Sequence, residues 1–139
     1  VQEQLDPENA EGVSGLGLGI AAIGHKVTVT TPAEVEVQVK ATVTLLAGFE
    51  LADVQSAITS AIEDHIESLR YSGANASKLN EYSCNILRAR IAAAIIGVTG
   101  VANVNLSEVL LNGKAEDILL REDGVVQEIP VFKGVELNV

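Results

Sequence analysis

The most regular pattern in the chain is an alternation of apolar and polar residues from Glu34 to Leu46. A period of two predicts a β-strand with one face on a core and the other facing water or a partner. A shorter alternation from His25 to Thr31 predicts another strand, which ends at Pro32. The apolar face of the longer strand holds Val35, Val37, Val39, Ala41, Val43 and Leu45, and the polar face holds Glu36, Gln38, Lys40, Thr42 and Thr44.

After Gly48 the apolar period changes from two to about 3.6 residues, which predicts an amphipathic helix from Leu51 to about Leu69. A second stretch with isoleucines and alanines at helical spacing predicts a helix from Tyr82 to about Ile96. Glycines directly after this stretch are typical of a helix end. We therefore expect two helices, each with one apolar side.

The remainder of the chain contains four short apolar runs, at 101–111, 118–120, 125–131 and 135–139. Each run predicts a strand. Tight antiparallel hairpins are expected at the end of the chain, because Asn112-Gly113 and Asp123-Gly124 are pairs that favour two-residue turns. The order of elements predicts the α+β class, with two layers: a mostly antiparallel sheet and two helices packed on one of its faces.

The first 24 residues contain five glycines and several acidic residues, which predicts an extended arm or linker. We expect residues 1–24 to form this arm and residues 25–139 to form a single α+β domain. Because the chain lacks an initiator methionine, we expect it to be a fragment of a longer protein.

Composition indicates a folded chain, since 47% of its residues are hydrophobic and only 20% are charged. The net charge of −10 would repel nucleic acid and anionic membrane surfaces, so neither is an expected partner. No apolar run approaches the roughly 20 residues that a membrane helix needs. No secretory signal is evident either, which predicts synthesis in the cytoplasm.

The residues that could carry chemistry are few. Gly15, Gly17 and Gly19 are spaced closely, but they lack the Lys-Ser/Thr pair and the following helix of a phosphate-binding loop. His25, His65 and Cys84 have no partner at a spacing that suggests a nucleophile and base or a metal site. We therefore predict no catalytic residues, no cofactor and no metal.

Four patches of sequence are informative when they are taken together. They are Gly15-Leu16-Gly17-Leu18 leading to Ile23–Val29, the long alternating strand running into Leu51, Ile95–Val101, and Leu110-Leu111-Asn112-Gly113 with Glu128–Val131 and Gly134-Val135. Together these patches resemble the C-terminal part of the baseplate J-like proteins of Mu-like phages and Bacillus-type defective prophages. The resemblance covers nearly the whole chain. It implies a structural component of a contractile-tail baseplate, active in wedge assembly, and it names no active site.

The resemblance also implies partners and a location. Other baseplate or tail proteins, and further copies of the chain itself, are the expected partners, and the virion tail is the expected location. The polar face of the long strand is the candidate interaction face: Glu36, Gln38, Lys40 and Thr42. Two alternatives stay open, a small ligand-binding regulatory α+β domain and, with less support from the residues, an enzyme.

Overall fold

The computed structural model describes residues 1–72, 85–121 and 126–139. The chain divides into two compact units, Val1–Thr31 and Pro32–Val139. The expected division into residues 1–24 and 25–139 stays a prediction.

The first unit is organised by two polar side chains that follow one another closely in sequence. It begins with a short helix, α1 (Gln2–Leu5). The carboxylate of Asp6, which is only 1% exposed, accepts hydrogen bonds from the N–H groups of Gly15 (2.7 Å) and Val27 (3.0 Å). The side-chain amide of Gln2 accepts from the N–H of Val29 and donates to the carbonyl of Val27, both at 2.6 Å.

Two expectations for this unit differ from the structure. Residues 25–31 do not form a strand, because their backbone hydrogen bonds go to the side chains of Gln2 and Asp6 and not to a neighbouring strand. The backbone before them is not extended throughout, since the N–H of Gly24 returns to the carbonyl of Gly15 at 2.8 Å. The alternating pattern therefore predicted the wrong backbone partner for this segment.

The second unit is built around one long strand, β1 (Ala33–Leu45). Within the described residues β1 pairs with three strands. It runs antiparallel to β2 (Val101–Val104) and β3 (Leu110–Leu111), and parallel to β4 (Glu128–Asn138). A single turn of 3₁₀ helix, Leu106–Glu108, separates β2 from β3.

Two helices, α2 (Leu51–Ser72) and α3 (Arg88–Ile96), cover one face of this sheet. Their isoleucines and valines pack on the apolar face of β1, and the polar face of β1 remains outside this core. The predicted α+β class is therefore confirmed. The fully buried core side chains of these three elements are Val37, Val39, Ala41, Val43, Val54, Ile58, Ile62, Ile66, Ile91 and Ile95.

The second helix begins later than predicted. Ile86 is extended and forms an antiparallel bridge with Ile118, and the helix starts after Leu87. The predicted start at Tyr82 lies outside the described residues. An isoleucine placed at helical spacing can also be buried from an extended segment, which is why the periodicity overestimated the helix.

The hairpin prediction is confirmed at one turn and wrong for the last strand. Asn112 and Gly113 both have positive φ angles, 50° and 76°, and join Leu111 to Lys114 through two backbone hydrogen bonds. Glu128 to Asn138, from the last two apolar runs, form one continuous strand, β4, which is parallel to β1, and the helices lie between the two strands in sequence. The Asp123-Gly124 turn lies outside the described residues.

Candidate protein interface

The four residues proposed as an interaction face lie together on the outer side of β1. They alternate with buried residues, so their side chains point to the same side of the sheet. Glu36 and Gln38 are exposed, and Lys40 and Thr42 are partly exposed. The structure therefore places these four side chains on one surface that both helices leave uncovered.

The parallel pairing with β4 adds charged partners to this surface. The ammonium of Lys40 lies 2.5 Å from the carboxylate of Glu136, and that of Lys133 lies 2.7 Å from the carboxylate of Glu36. The hydrogen bond that Lys133 donates to Glu36, and then the negative charge of Glu36, raise the pKa of Lys133. All four side chains are 42–67% exposed, so solvent screening leaves each pair with little effect on stability. Their main consequence is a surface whose charges are largely paired within itself.

Asn112 closes one side of the same surface. Its side-chain oxygen accepts from the N–H of Gln38 at 2.8 Å, and its side-chain nitrogen donates to the carbonyl of Glu36 at 2.9 Å. Its own N–H donates to the carbonyl of Gln38 at 2.9 Å. The amide thus continues the hydrogen bonding of β3 beyond the end of that strand. Glu36, Gln38, Asn112 and Lys133 surround a polar depression of about 580 Å³.

Three residues of this surface were not found from the sequence: Asn112, Lys133 and Glu136. Asn112 was recognised as a turn residue, but nothing local indicates that its side chain reaches β1. Lys133 and Glu136 face β1 only because β4 is parallel, with an irregular register between Val37 and Gln38. Pairing between strands so distant in sequence leaves no local signal in the periodicity.

The chemically reactive residues are placed differently. His25 is exposed in the first unit. His65 lies on α2 in the second unit, and its Nε2 atom is buried without a hydrogen-bond partner among the described residues. Burial, and then the nearby charge of Arg90, lower the pKa of His65. Cys84 lies outside the described residues.

In the glycine-rich segment, the N–H of Gly15 is not free to bind an anion. The N–H of Gly15 already donates to Asp6, and a phosphate at this position would meet the Asp6 carboxylate. The hydrogen bonds from Val27 and Gly15 lower the pKa of Asp6, so it stays ionised at neutral pH. This geometry does not fit a phosphate-binding loop.

In residues 1–72, 85–121 and 126–139, no three His, Cys, Asp or Glu side chains are grouped as they would be around a metal ion. No helix in the same ranges is both long and apolar enough to cross a membrane.

Comparison with known proteins identifies the second unit. No curated protein matches the chain. The family model of the baseplate J-like protein C-terminal domain matches residues 37–138, which include most of β1, both long helices and β4. This match covers well over half of the chain and confirms the resemblance to this family. The first of the four sequence patches, within residues 15–29, lies outside the matched residues. The chain therefore belongs to the baseplate J-like protein family and carries its C-terminal domain.

Proposed function

We propose that this domain acts in assembly of the baseplate wedge by binding neighbouring tail proteins through the outer face of β1. Its family supports a structural role in a phage baseplate, a location in the phage tail and interaction with other tail proteins. The geometry of the sheet supports the choice of the surface that makes this contact.

The observation that carries the proposal is the contrast between the two faces of β1. Val37, Val39 and Ala41 are completely buried beneath the helices, whereas Glu36 and Gln38, which alternate with them, are exposed. A two-layer domain that packs helices on one face leaves the other face of its sheet available to a partner.

The chemistry of this face favours a polar protein surface as the partner. Two cross-strand ion pairs already neutralise Glu36 and Lys40, so a partner need not supply a strong opposite charge. The side chains of Gln38 and Thr42 offer hydrogen-bond donors and acceptors on the same surface. Such a surface acts through complementarity and hydrogen bonding, with no chemical turnover. Other baseplate proteins or further copies of the chain fit this description.

The experiment is complementation of a phage that lacks the gene, with arginine placed on the proposed face by Gln38→Arg and Thr42→Arg. We expect loss of incorporation into tails, because two bulky charges would be buried without partners. The free energy of unfolding of the purified chain, measured by thermal unfolding, should change by no more than about 0.5 kcal/mol, as is usual for surface substitutions. Ser56→Arg with Ser60→Arg, on the exposed side of α2, is the matched control and should leave incorporation intact.

A second variant tests the proposal that the chain is not an enzyme. Replacing His25, His65 and Cys84 together with Asn, Gln and Ser should leave tail assembly and infectivity unchanged if the domain still folds. Normal tails from the double arginine variant, combined with lost function in this triple variant at unchanged stability, would contradict the proposal and favour a catalytic role.

A further inference from the structure

The last strand, β4, has a backbone edge that no described strand occupies. Within the described ranges the strand that it pairs with is β1, over Ala33 to Thr42. At its first residue the outward edge already has a partner, since the N–H of Glu128 donates to the carbonyl of Arg121 at 2.9 Å. The N–H of Ala33 bonds to the carbonyl of Gln127 at 2.8 Å, which fixes which residues of β4 face β1. In a parallel ladder, alternate residues bond to the same neighbour. From the register, the N–H groups of Phe132, Val135 and Leu137 therefore point away from β1.

The core-facing side chains of the same three residues are incompletely covered. Phe132, Val135 and Leu137 pack against the core but remain partly exposed, whereas their neighbours on β1, Val37 and Val39, are 0% exposed. A strand added beside β4 would bury the three side chains and bond to the outward N–H and C=O groups together. The apolar surface and the backbone edge thus specify the same kind of occupant, which is an extended segment.

A cleft between β4 and α2 gives this edge a charged border. It has a volume of about 170 Å³ and is lined by Ile66 and Phe132 at its apolar side. Glu63 and Glu67, both exposed, lie along its helical side together with Arg70. Acidic side chains at this place favour a segment that carries lysine or arginine beside its apolar residues.

The charge also argues against a second copy of the chain as the occupant. Two β4 edges brought together would bring two pairs of Glu63 and Glu67 towards each other, on chains that each carry a net charge of −10. Like charges at a shared interface are unfavourable. A neighbouring protein with basic residues meets no such repulsion.

Two features limit the length of the added strand. Pro130 has no N–H to donate, and the irregular register at Lys133 and Gly134 interrupts the ladder. Both are typical protections of an edge strand against unwanted pairing. The part of β4 from Val135 to Asn138 is free of these protections.

We propose that the free edge of β4 binds a short extended segment of a neighbouring baseplate protein, which adds to the sheet as a further strand. Its apolar residues cover Phe132, Val135 and Leu137, and its basic residues face Glu63 and Glu67. The proposal rests on the baseplate role described above, and it concerns a different surface from the outer face of β1.

Amide hydrogen exchange tests the edge without any substitution. In the isolated full chain, the N–H groups of Glu136 and Asn138 should exchange slowly because they bond to β1, and those of Val135 and Leu137 should exchange fast. In assembled baseplates, the peptide from Gly134 to Val139 should gain protection. The proposal is overturned if Val135 and Leu137 are already slow in the dilute monomer, if protection accompanies dimer formation in sedimentation, or if baseplates add none.

A pair of substitutions separates the edge bond from side-chain packing. Val135→Pro and Val135→Ala both shorten the packed side chain, but only the proline removes an N–H that points away from β1. We expect incorporation into tails to fall about tenfold further for the proline than for the alanine, the change that one lost interaction of this kind produces. Equal incorporation of two folded variants would overturn the proposal.

The outcomes also separate this inference from the proposed function. If Gln38→Arg with Thr42→Arg abolishes incorporation while Val135→Pro matches Val135→Ala, the edge proposal fails and the outer-face proposal stands. Should Val135→Pro fail to fold, Glu63→Lys with Glu67→Lys provides the second variant. It reverses the charge of exposed side chains and should also reduce incorporation, and normal incorporation would count against a basic partner segment.

Discussion

Each of the two units of the chain is stabilised internally by a different kind of interaction. Pro32–Val139 has a continuous apolar core, in which valines of β1 meet isoleucines of α2 and α3. Val1–Thr31 has no comparable core: Leu18, Ile20 and Ile23 are 61%, 80% and 79% exposed, and its buried side chain is the carboxylate of Asp6. Hydrogen bonds alone contribute little net free energy compared with apolar burial. The comparison indicates that stability resides in the second unit.

The strongest test of this comparison removes buried volume from the core. Ile62→Ala should lower the free energy of unfolding by about 2–5 kcal/mol, because Ile62 is completely buried and removal of its methyl and methylene groups leaves a cavity. Leu18→Ala in the first unit is the matched truncation and should change it by no more than about 0.5 kcal/mol. Both values come from urea unfolding. Similar losses for the two variants would mean that the first unit contributes to stability as well.

The second test concerns a polar centre inside the second unit. The guanidinium of Arg88 donates to the carbonyls of Val109 (2.6 Å), Ala115 (3.0 Å) and Leu106, which ties the start of α3 to the segment around β3. Arg88→Ala should destabilise the unit by about 1–3 kcal/mol, as expected for lost hydrogen bonds to a charged group. Chemical denaturation measures this loss in the free energy of unfolding. Arg88→Lys should recover only part of the loss, because a single ammonium cannot match the guanidinium fork.

A smaller effect is expected from His65, which lies on α2 near the charge of Arg90. Its pKa is lower in the folded state than its ordinary value of 6.5, so the unfolded state binds the proton more readily. Stability from this residue is therefore complete above about pH 6.5 and is lost as the pH falls through the lower folded-state value. Unfolding measured from pH 8 to pH 5 should show this decrease, and His65→Gln should lack that part of it.

The smallest effect on global stability is expected at Asp6. Asp6→Asn removes the charge, and one of the two N–H donors, Gly15 or Val27, loses its acceptor. Limited proteolysis within residues 1–31 should become faster, while the unfolding of the second unit stays the same. Glu8→Gln, at an exposed position, is the control and should change neither. A lower melting temperature for Asp6→Asn would show that the two units unfold together.

Long periodic segments were predicted well because their signal is local. The strand predicted from Glu34 to Leu46 is observed from Ala33 to Leu45, and the helix predicted from Leu51 begins there. In each case a single face of the element is buried, and a repeated apolar position records that burial directly in the sequence. The same alternation gave the four residues of the candidate interface.

Shorter patterns were misleading where the segment that pairs with the backbone, and not the apolar period, decided the local conformation. His25–Thr31 alternates like a strand, yet side chains of Gln2 and Asp6 take the place of a strand partner. Ile86 has helical spacing but is buried from an extended segment by its bridge to Ile118. Alternation shows that one side is apolar and does not show which backbone lies beside it.

The sequence by itself determined the two long elements, the buried face of β1 and, through its family patches, the baseplate role. Only the tertiary structure decided that β4 runs parallel to β1, that Lys133 and Glu136 meet Glu36 and Lys40, and that one edge of β4 lacks a strand within the described residues. The physical reason is that periodicity follows from the burial of one element at a time. The direction and register of strands distant in sequence depend on how the whole chain packs.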